Sequence, residues 1–308
     1  MECALLVNSE GRSGIARARE ALAAGVPACD AIAAGVALVE ADPAVVTVGQ
    51  GGYLNLAGEL ECDAAIMDGA TLQCGAVGAL QGYRHPIRVA RAVMEQLPHV
   101  FLAGAGAARF ACEIGAEPAD ATDAASRERH RRWVARHAAP GDQARWPEVP
   151  LAPYARASAR ETTEKGTTVY LARDAAGHLA AATSTAGWPH KYPGRIGDTP
   201  LVGAGLYADD RYGACACTHT GELAIRAATA RSVILYLKRG ARLEEACHEA
   251  VADLAALAGG CQGPLVIHAL GRDGEACVVA SRDPGPEIEF CYWRTGMAEP
   301  RARRPRVI

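Results

Sequence analysis

Residues Gly166 to Ser184 constrain this chain more than any other stretch. The segment "GTTVYLARDAAGHLAAATS" holds two strand-like runs, Thr168–Arg173 and Leu179–Ser184, hinged at Asp174–Gly177. Val, Tyr and Thr suit a pleated strand, and Asp with Gly suits the hinge between two of them. What precedes the hairpin is different in kind. From about Glu117 to Lys165 the chain is charged and then rich in Pro, Ala and Arg. A helix is expected around Ser126–His137, and the remainder up to Lys165 lacks convincing periodicity. A loop of that length in a compact protein is usually functional or disordered. A turn needs Gly, and a strand accepts Thr. Neither need accounts for a Thr-Thr start or for the Thr-Ser-Thr that closes the hairpin.

The elements around this hairpin come in blocks. "GIARAREALAAGVPACDAIAAGVALVEADP" reads as two Ala-rich amphipathic helices split at Gly25-Val26-Pro27. "VVTVGQGGYLNLAGELECDAAIMDG" alternates, and suggests a β-hairpin ending near Asp68-Gly69. A helix opens near Pro86, and "VFLAGAGAARFACEIG" reads as a short strand or turn and a helix. After the central hairpin come a Gly-rich polar run, the strand "GACACT", helices in "GELAIRAATARSVILYLKRG" and "RLEEACHEAVADLAALAGG", and strands in "GPLVIHALGRDGEACVVAS" and "PEIEFCYWR". Blocks of each type point to α+β layering rather than to strict βαβ alternation.

Bulk properties narrow the function classes. With 308 residues, half of them hydrophobic, the chain supports a large core. A net charge of -3 provides no global attraction to nucleic acid or to an anionic membrane. The basic tail "PRARRPRVI" reads as a solvated terminus rather than a binding arm. No signal peptide pattern and no membrane-spanning apolar run is evident, so a cytoplasmic protein is expected. The 11 cysteines form no CxxC pair and fit no zinc spacing, and are read as reduced, mostly buried apolar residues. "GAGAARF" (Gly104–Phe110) resembles a dinucleotide fingerprint, but Arg109 replaces the third Gly and a polar loop stands where the acidic strand end belongs. Tight strand-to-helix packing is the better reading there.

The hydroxyl residues Thr167, Thr168, Thr183, Ser184, Thr185, Thr199, Thr218 and Thr220 cluster in sequence, with Arg195 and Asp198 among them. As composition alone this is ordinary strand chemistry. The order of elements adds meaning. A Thr hydroxyl needs an adjacent base to act as a nucleophile, and an internal Thr brings none. A Thr at a new N-terminus carries a free α-amine, with a pKa of roughly 7.7–8.0, that can take the hydroxyl proton. Gly166 has no side chain to hinder attack on its carbonyl and tolerates strained backbone. The Gly166-Thr167 junction therefore suits self-cleavage.

These residues resemble the N-terminal-nucleophile (Ntn) hydrolases of the asparaginase, isoaspartyl peptidase and glycosylasparaginase group. The motifs that carry the resemblance are "GT" at 166–167, "GHLAAATSTAG", "PGRIGDTPLVGAGLYADD" and "CTHTGELAIR", with "VGQGG", "DAAIMDGATLQCGAVGAL" and "PIRVARAVMEQLPHVFLAG" in the first half. It covers nearly the whole chain outside 117–165. The resemblance implies a four-layer αββα sandwich. It implies one structural domain made from an α subunit, 1–166, ending in a flexible linker at about 117–165, and a β subunit, 167–308. It implies Thr167 as nucleophile freed by cleavage after Gly166, with Thr168 as the off-by-one alternative. Thr185 is implied as the hydroxyl that bonds and tunes the nucleophile, Arg195 as the α-carboxylate clamp, and Asp198 as the α-ammonium anchor. The Thr218 hydroxyl and the His219 backbone N–H are implied as the oxyanion hole, and Gly221 as the point of close substrate approach. The reaction implied is attack on the β-amide of an asparagine-like or β-aspartyl substrate, giving an ester and then aspartate, without cofactor or metal. A homodimer of cleaved αβ units is the implied assembly.

Some positions depart from the family pattern. Thr218-His219-Thr220-Gly221 stands where Thr-Gly-x-Gly is usual, and Val169 where a Gly is usual. Tyr53 replaces a Ser of glycosylasparaginases, and their sugar-site Trp is missing from "LLVNSEGRSG". Trp188, His190 and Tyr192 offer a different leaving-group pocket. The opening "HGGAG" of plant-type asparaginases and their sodium loop are not evident, and first-half spacing follows the glycosylasparaginase branch. Two other readings remain: an unprocessed Ntn-fold binding or scaffold protein, and an amidase acting on a non-aspartyl amide.

Overall fold

In a computed structural model, residues 2–119, 122–161 and 166–308 are described, the side chain of residue 161 excepted. The remainder of the 117–165 linker expectation, at 120–121 and 162–165, lies outside the described residues. In chain order the elements are β1 (Ala4–Asn8), α1 (Ile15–Ala23), α2 (Ala28–Ala41), β2 (Cys62–Asp68), β3 (Cys74–Leu80), α3 (Pro86–Gln96), β4 (Phe101–Ala103) and α4 (Gly104–Glu113). Then come α5 (Ala124–His137), α6 (Pro140–Gln143) and α7 (Ala152–Glu161). The second half has β5 (Thr168–Arg173), β6 (Leu179–Thr185), β7 (Leu206–Asp209), β8 (Gly213–His219), α8 (Gly221–Ala227), α9 (Thr229–Lys238) and α10 (Leu243–Ala255). It ends with β9 (Leu265–Gly271), β10 (Ala276–Ala280), β11 (Phe290–Arg294), β12 (Arg301–Arg303) and β13 (Arg306–Val307).

Two sheets form. One has the order β12-β11-β1-β5-β6-β2-β3-β4 and the other β13-β10-β9-β8-β7. All pairs are antiparallel except β3 with β4 and β10 with β13. Because side chains alternate along a strand, each sheet divides its apolar residues between two faces. Leu5, Val7, Tyr170, Ala172, Ala180 and Ala182 pack under α1 to α4. Leu6, Val169, Leu171 and Ala181 meet Leu206, Ala214, Ala216 and Val266 between the sheets. Cys215, Cys217, Ile267 and Ala269 pack under α8 to α10. Three apolar layers between four tiers of structure make the αββα sandwich that the resemblance implied.

The central hairpin folds as its sequence reads. Thr168 pairs with Ser184 and Arg173 with Leu179. Asp174 Oδ1 accepts from the Ala176 and His178 amides at 2.9 and 3.0 Å, which closes the turn. Gly177 sits at φ 94, a conformation that disfavours any side chain. The split of the first two helices at 25–27 and the helix start at Pro86 also stand.

Four expectations are corrected. The alternating run at 45–61 is not a strand of a hairpin. It is a loop with a short 3-10 turn at Gly49–Gly51, and its apolar residues Val48, Leu54 and Leu56 are buried from a loop. The aperiodic stretch after His137 contains α6 and α7, docked by bonds such as Ser158 Oγ to Pro189 O at 2.7 Å. The basic tail is no free terminus, since β12 and β13 add one strand to each sheet. Finally, tight packing does not explain "GAGAARF": a side chain on Gly104 or Gly106 would meet open space.

The helical tier docks on β5 through Tyr170. Its hydroxyl donates to Gly11 O, and its ring fills space left by Gly14 and Gly35. A methyl group on Gly14 would stand 2.0 Å from the Gly35 carbonyl oxygen, which is helix backbone and cannot yield. Gly14→Ala is therefore expected to lower unfolding stability by roughly 1–3 kcal/mol, read as a lower midpoint in urea.

Candidate active site

The period-2 rule that builds the layers also selects which hydroxyls can meet. Just before β5, Thr167 shares the phase of Val169 and Leu171, which face the other sheet. On β6, Thr183 and Thr185 share the phase of Leu179 and Ala181; on β8, Thr218 shares that of Ala214 and Ala216. Thr167, Thr185 and Thr218 thus lie on two facing surfaces at one end of the sandwich, and all three are buried. Thr168 has the opposite phase. Its Oγ1 is the side-chain atom that a Cβ on Gly11 would meet at 3.1 Å, on the helix side. That orientation removes Thr168 from the cleft.

The Gly166–Thr167 junction is gripped from several sides. Thr185 Oγ1 donates to the Gly166 carbonyl at 2.8 Å and lies 3.3 Å from Thr47 O. A hydroxyl has one hydrogen, so the shorter contact to Gly166 is the better bond. Asn8 Nδ2 donates to Thr167 O at 2.5 Å, and Asn8 Oδ1 accepts from the Val169 amide at 2.8 Å. Thr167 Oγ1 lies 3.3 Å from Thr199 Oγ1. The expectation that Thr185 bonds the nucleophile's oxygen takes another form here: its hydrogen is spent on the carbonyl of the preceding residue. A side chain at 166 would meet Thr47 Oγ1 at 2.4 Å and Glu10 Oε1 at 2.8 Å, so only Gly fits.

The Arg195 guanidinium donates from Nη2 and Nε to Glu222 Oε1, at 2.8 and 3.2 Å, and lies 4.7 Å above the Trp188 ring. Its remaining nitrogen, Nη1, faces Gly197, where a Cβ would approach to 2.7 Å. Glycine there keeps the unpaired edge of the fork open. Asp198 is buried, and its Oδ2 has no hydrogen-bond partner. Burial pushes its carboxyl up to about 7, with Arg195 acting in the opposite direction. A Cβ on Gly221 would meet Asp198 Oδ1 at 2.3 Å, so the glycine makes room for the carboxyl.

Thr218 Oγ1 lies 2.9 Å from His219 Nδ1. His219 has φ 82, the left-handed geometry that a Gly would adopt without cost, and its carbonyl accepts from Trp188 Nε1 at 3.3 Å. For a non-Gly residue such geometry costs on the order of 1–3 kcal/mol. Val169 is wholly buried between the sheets, where it simply adds apolar contact. Tyr53 lies edge-on to His190 with their ring centres 6.2 Å apart, and His190 stacks on Trp133 at 4.5 Å. Through these rings α5 is seated beside the loop that carries Trp188.

Asn8, Glu10, Thr47 and Glu222 touch the candidate site but were not singled out by the sequence reading, which did name Thr199 among the clustered hydroxyls. Asn8 lies 159 positions from its partner Thr167, with no spacing signal to join them.

Asp198 also has a stability signature. Its folded pKa, about 7, stands above the ordinary aspartate value of 3.8. Its contribution to stability is greatest below the unfolded value and is lost as pH rises through about 7. Asp198→Asn should therefore gain stability relative to the parent as pH is raised from 4 to 8, by on the order of a few kcal/mol, in paired urea unfolding curves.

The sequence profile of the family described as asparaginase matches residues 8–282. An isoaspartyl peptidase of Salmonella typhimurium is 38% identical over 247 residues, covering 80% of this chain and 76% of the relative. The isoaspartyl peptidase/L-asparaginase of Mus musculus is 35% identical over 264 residues, covering 84% and 76%. An isoaspartyl peptidase of Escherichia coli is 38% identical over 247 residues, covering 80% and 74%. With a family match across most of its length and relatives above 30% identity, this chain belongs to the asparaginase family.

Proposed function

We propose that the chain cleaves itself between Gly166 and Thr167 and that the freed Thr167 then hydrolyses the side-chain amide of asparagine-like or β-aspartyl substrates. The observation that carries this reading is the Thr185 hydroxyl held 2.8 Å from the Gly166 carbonyl oxygen, with Thr167 locked at the head of a central strand. In the first step Thr167 Oγ1 attacks the Gly166 carbonyl carbon. The oxygen gains charge while Thr185 donates to it, the C–N bond breaks, and water then hydrolyses the ester. The products are an α chain ending at Gly166 and a β chain beginning at Thr167.

In the second reaction the Thr167 α-amine accepts the hydroxyl proton. The open edge of Arg195 takes the substrate α-carboxylate, for which a planar fork is suited. Asp198 takes the α-ammonium, and this cation offsets the burial that otherwise keeps the carboxyl protonated. The β-carbonyl then faces Thr167, and its developing oxyanion is met by the Thr218 hydroxyl and the His219 N–H. Thr218 can donate there when His219 Nδ1 carries the proton and bonds the Thr218 oxygen instead of receiving its hydrogen. Attack expels the amine, and water frees aspartate.

The relatives' names support ammonia or a peptide amine as the leaving group. The first-half spacing instead points to the glycosylasparaginase branch, and the screen that separates these is hydrolysis of asparagine, β-aspartyl dipeptides and N-acetylglucosaminyl-asparagine by the processed protein. We further infer a dimer of cleaved αβ units, checked by the mass of the native assembly.

Thr167→Ala should leave a single band on a denaturing gel and no hydrolysis. The parent should give two bands, the smaller beginning Thr-Thr-Val-Tyr; a cleaved Thr167→Ala chain would refute the assignment. Thr185→Val should slow self-cleavage by about 10²–10³-fold, the usual loss on removing one oxyanion donor. Arg195→Ala should raise KM for free asparagine roughly 10- to 100-fold, as expected for a lost charge-assisted bond, and an unchanged KM would rule out the clamp.

A further inference from the structure

Self-cleavage poses a problem that hydrolysis does not. In the mature protein the Thr167 α-amine is the base, but before cleavage that nitrogen is an amide and its lone pair is delocalised into the carbonyl. The hydroxyl's neighbour at 3.3 Å is the Thr199 hydroxyl, which is no base near neutral pH. A carboxyl lies against the same junction. A methyl group built on the Gly166 Cα would stand 2.8 Å from Glu10 Oε1. Glu10 Oε2 accepts from Asn8 Nδ2 at 2.6 Å and from Ser9 Oγ at 3.0 Å. That same Asn8 nitrogen donates to the Thr167 carbonyl at 2.5 Å. One side-chain amide thus ties the carboxyl to the nucleophile residue.

We propose that Glu10 is the proton carrier of self-cleavage, an assignment that rests on the Gly166–Thr167 reading above. Its carboxylate takes the Thr167 hydroxyl proton as the bond from Oγ1 to the Gly166 carbon forms. It returns that proton to the Thr167 nitrogen as the C–N bond breaks. One bond forms, one breaks, the proton passes from oxygen to nitrogen, and nothing is oxidised or reduced. The "HGGAG" opening that this chain lacks carries no carboxyl at all, whereas Asn8-Ser9-Glu10 supplies one. A groove of about 510 Å³ is lined by Glu10 and Thr47, the two residues whose side chains stand against Gly166.

The surroundings of Glu10 give the step a pH dependence. Burial holds its carboxyl above the ordinary range, and Arg12 pulls the other way. Arg12 is itself paired with Glu289, and Asp42 and Glu287 line the same groove. The proton-accepting form therefore accumulates as pH rises.

The test is a time course of cleavage on denaturing gels, from pH 5 to 9, for freshly translated parent, Glu10→Gln and Glu10→Asp chains. The parent rate should climb with pH and level off. Glu10→Gln should be slower by roughly 10²- to 10⁴-fold, the range of general acid–base catalysis, with the rising limb gone. Glu10→Asp should recover part of the rate and keep a displaced limb. Each variant is also melted in the Thr167→Ala background, so that a folding defect is seen separately; if Glu10→Gln does not fold, the displaced limb of Glu10→Asp decides. Glu10→Gln cleaving at the parent rate with the parent profile would overturn the assignment, as would Glu10→Asp with an unmoved limb. A parent chain that never cleaves refutes the cleavage itself, and so separates that failure from this one.

Discussion

The structure depends on β5 having a partner on each side. Tyr170–Arg173 pair with Ala4–Val7 of β1, and Thr168–Arg173 pair with Leu179–Ser184 of β6. A strand so held cannot shift along its axis without breaking two ladders and turning its apolar phase over. Thr167 inherits that rigidity, since it is the residue just before the strand begins. The same pairing decides what a backbone cut can do. In the large sheet β1, β2, β3 and β4 come from before residue 166, while β5, β6, β11 and β12 come from after it, and the order β12-β11-β1-β5-β6-β2-β3-β4 interleaves them. Removing one peptide bond at the head of β5 leaves every ladder intact. The two products would remain one folded unit.

Interleaving also explains why the site is built from distant parts of the chain. Asn8 ends β1 and reaches Thr167 because β1 is the neighbour of β5. Thr185 ends β6 and reaches Gly166 because antiparallel pairing sets the end of one strand beside the start of the next. Thr218 comes from the other sheet, whose small inward residues, among them Ala208, Ala214 and Ala216, pack directly on those of the first. Arg195, Gly197, Asp198 and Thr199 lie on the loop that follows β6, where irregular backbone can aim side chains that a strand would alternate away.

Much of this was legible from sequence, and the limits have physical causes. The hairpin's boundaries followed from turn chemistry at 174–177, and the strand phase that puts Thr167 and Thr185 on one face is present in "TTVYL" and "LAAATST". Contacts that depend on strand order were not legible. Nothing local in "LLVNSEGRSG" connects Asn8 or Glu10 to residue 166. Alternation at 45–61 misled, because a loop that buries Val48, Leu54 and Leu56 produces the same pattern as a half-buried strand. Helix α7 was hidden by Pro147, Pro150 and Pro153, which read as breakers, although Pro153 falls in the helix's first turn, where no backbone N–H is needed. The C-terminal strands were hidden by charge: β12 and β13 are exposed edges rich in Arg, and charge on an edge strand blocks pairing with other molecules while the backbone still bonds inward.

Three carboxyls, Glu10, Asp198 and Glu40, share one electrostatic condition. Burial raises Glu10, Asp198 and Glu40, the last to about 8 while it accepts from Ser184 Oγ at 2.6 Å and the Ile87 amide at 2.9 Å. Each is worse off ionised inside this fold than in water, so none is there for stability at neutral pH. Their positions suggest how that unfavourable energy is used. Glu40 sits away from the cleft and binds two donors, which makes it a bridge between α2, α3 and β6. Asp198 keeps an oxygen without a partner beside Arg195; under the proposed function an incoming ammonium would relieve that burden and bind more tightly for it. Glu10 lies against the Gly166–Thr167 junction, where the proposed cleavage calls for a base before any free amine exists. A carboxyl with a raised pKa is a stronger proton acceptor once ionised. The burial that makes Glu10 costly to ionise is the same property that suits it to draw a proton from a threonine hydroxyl.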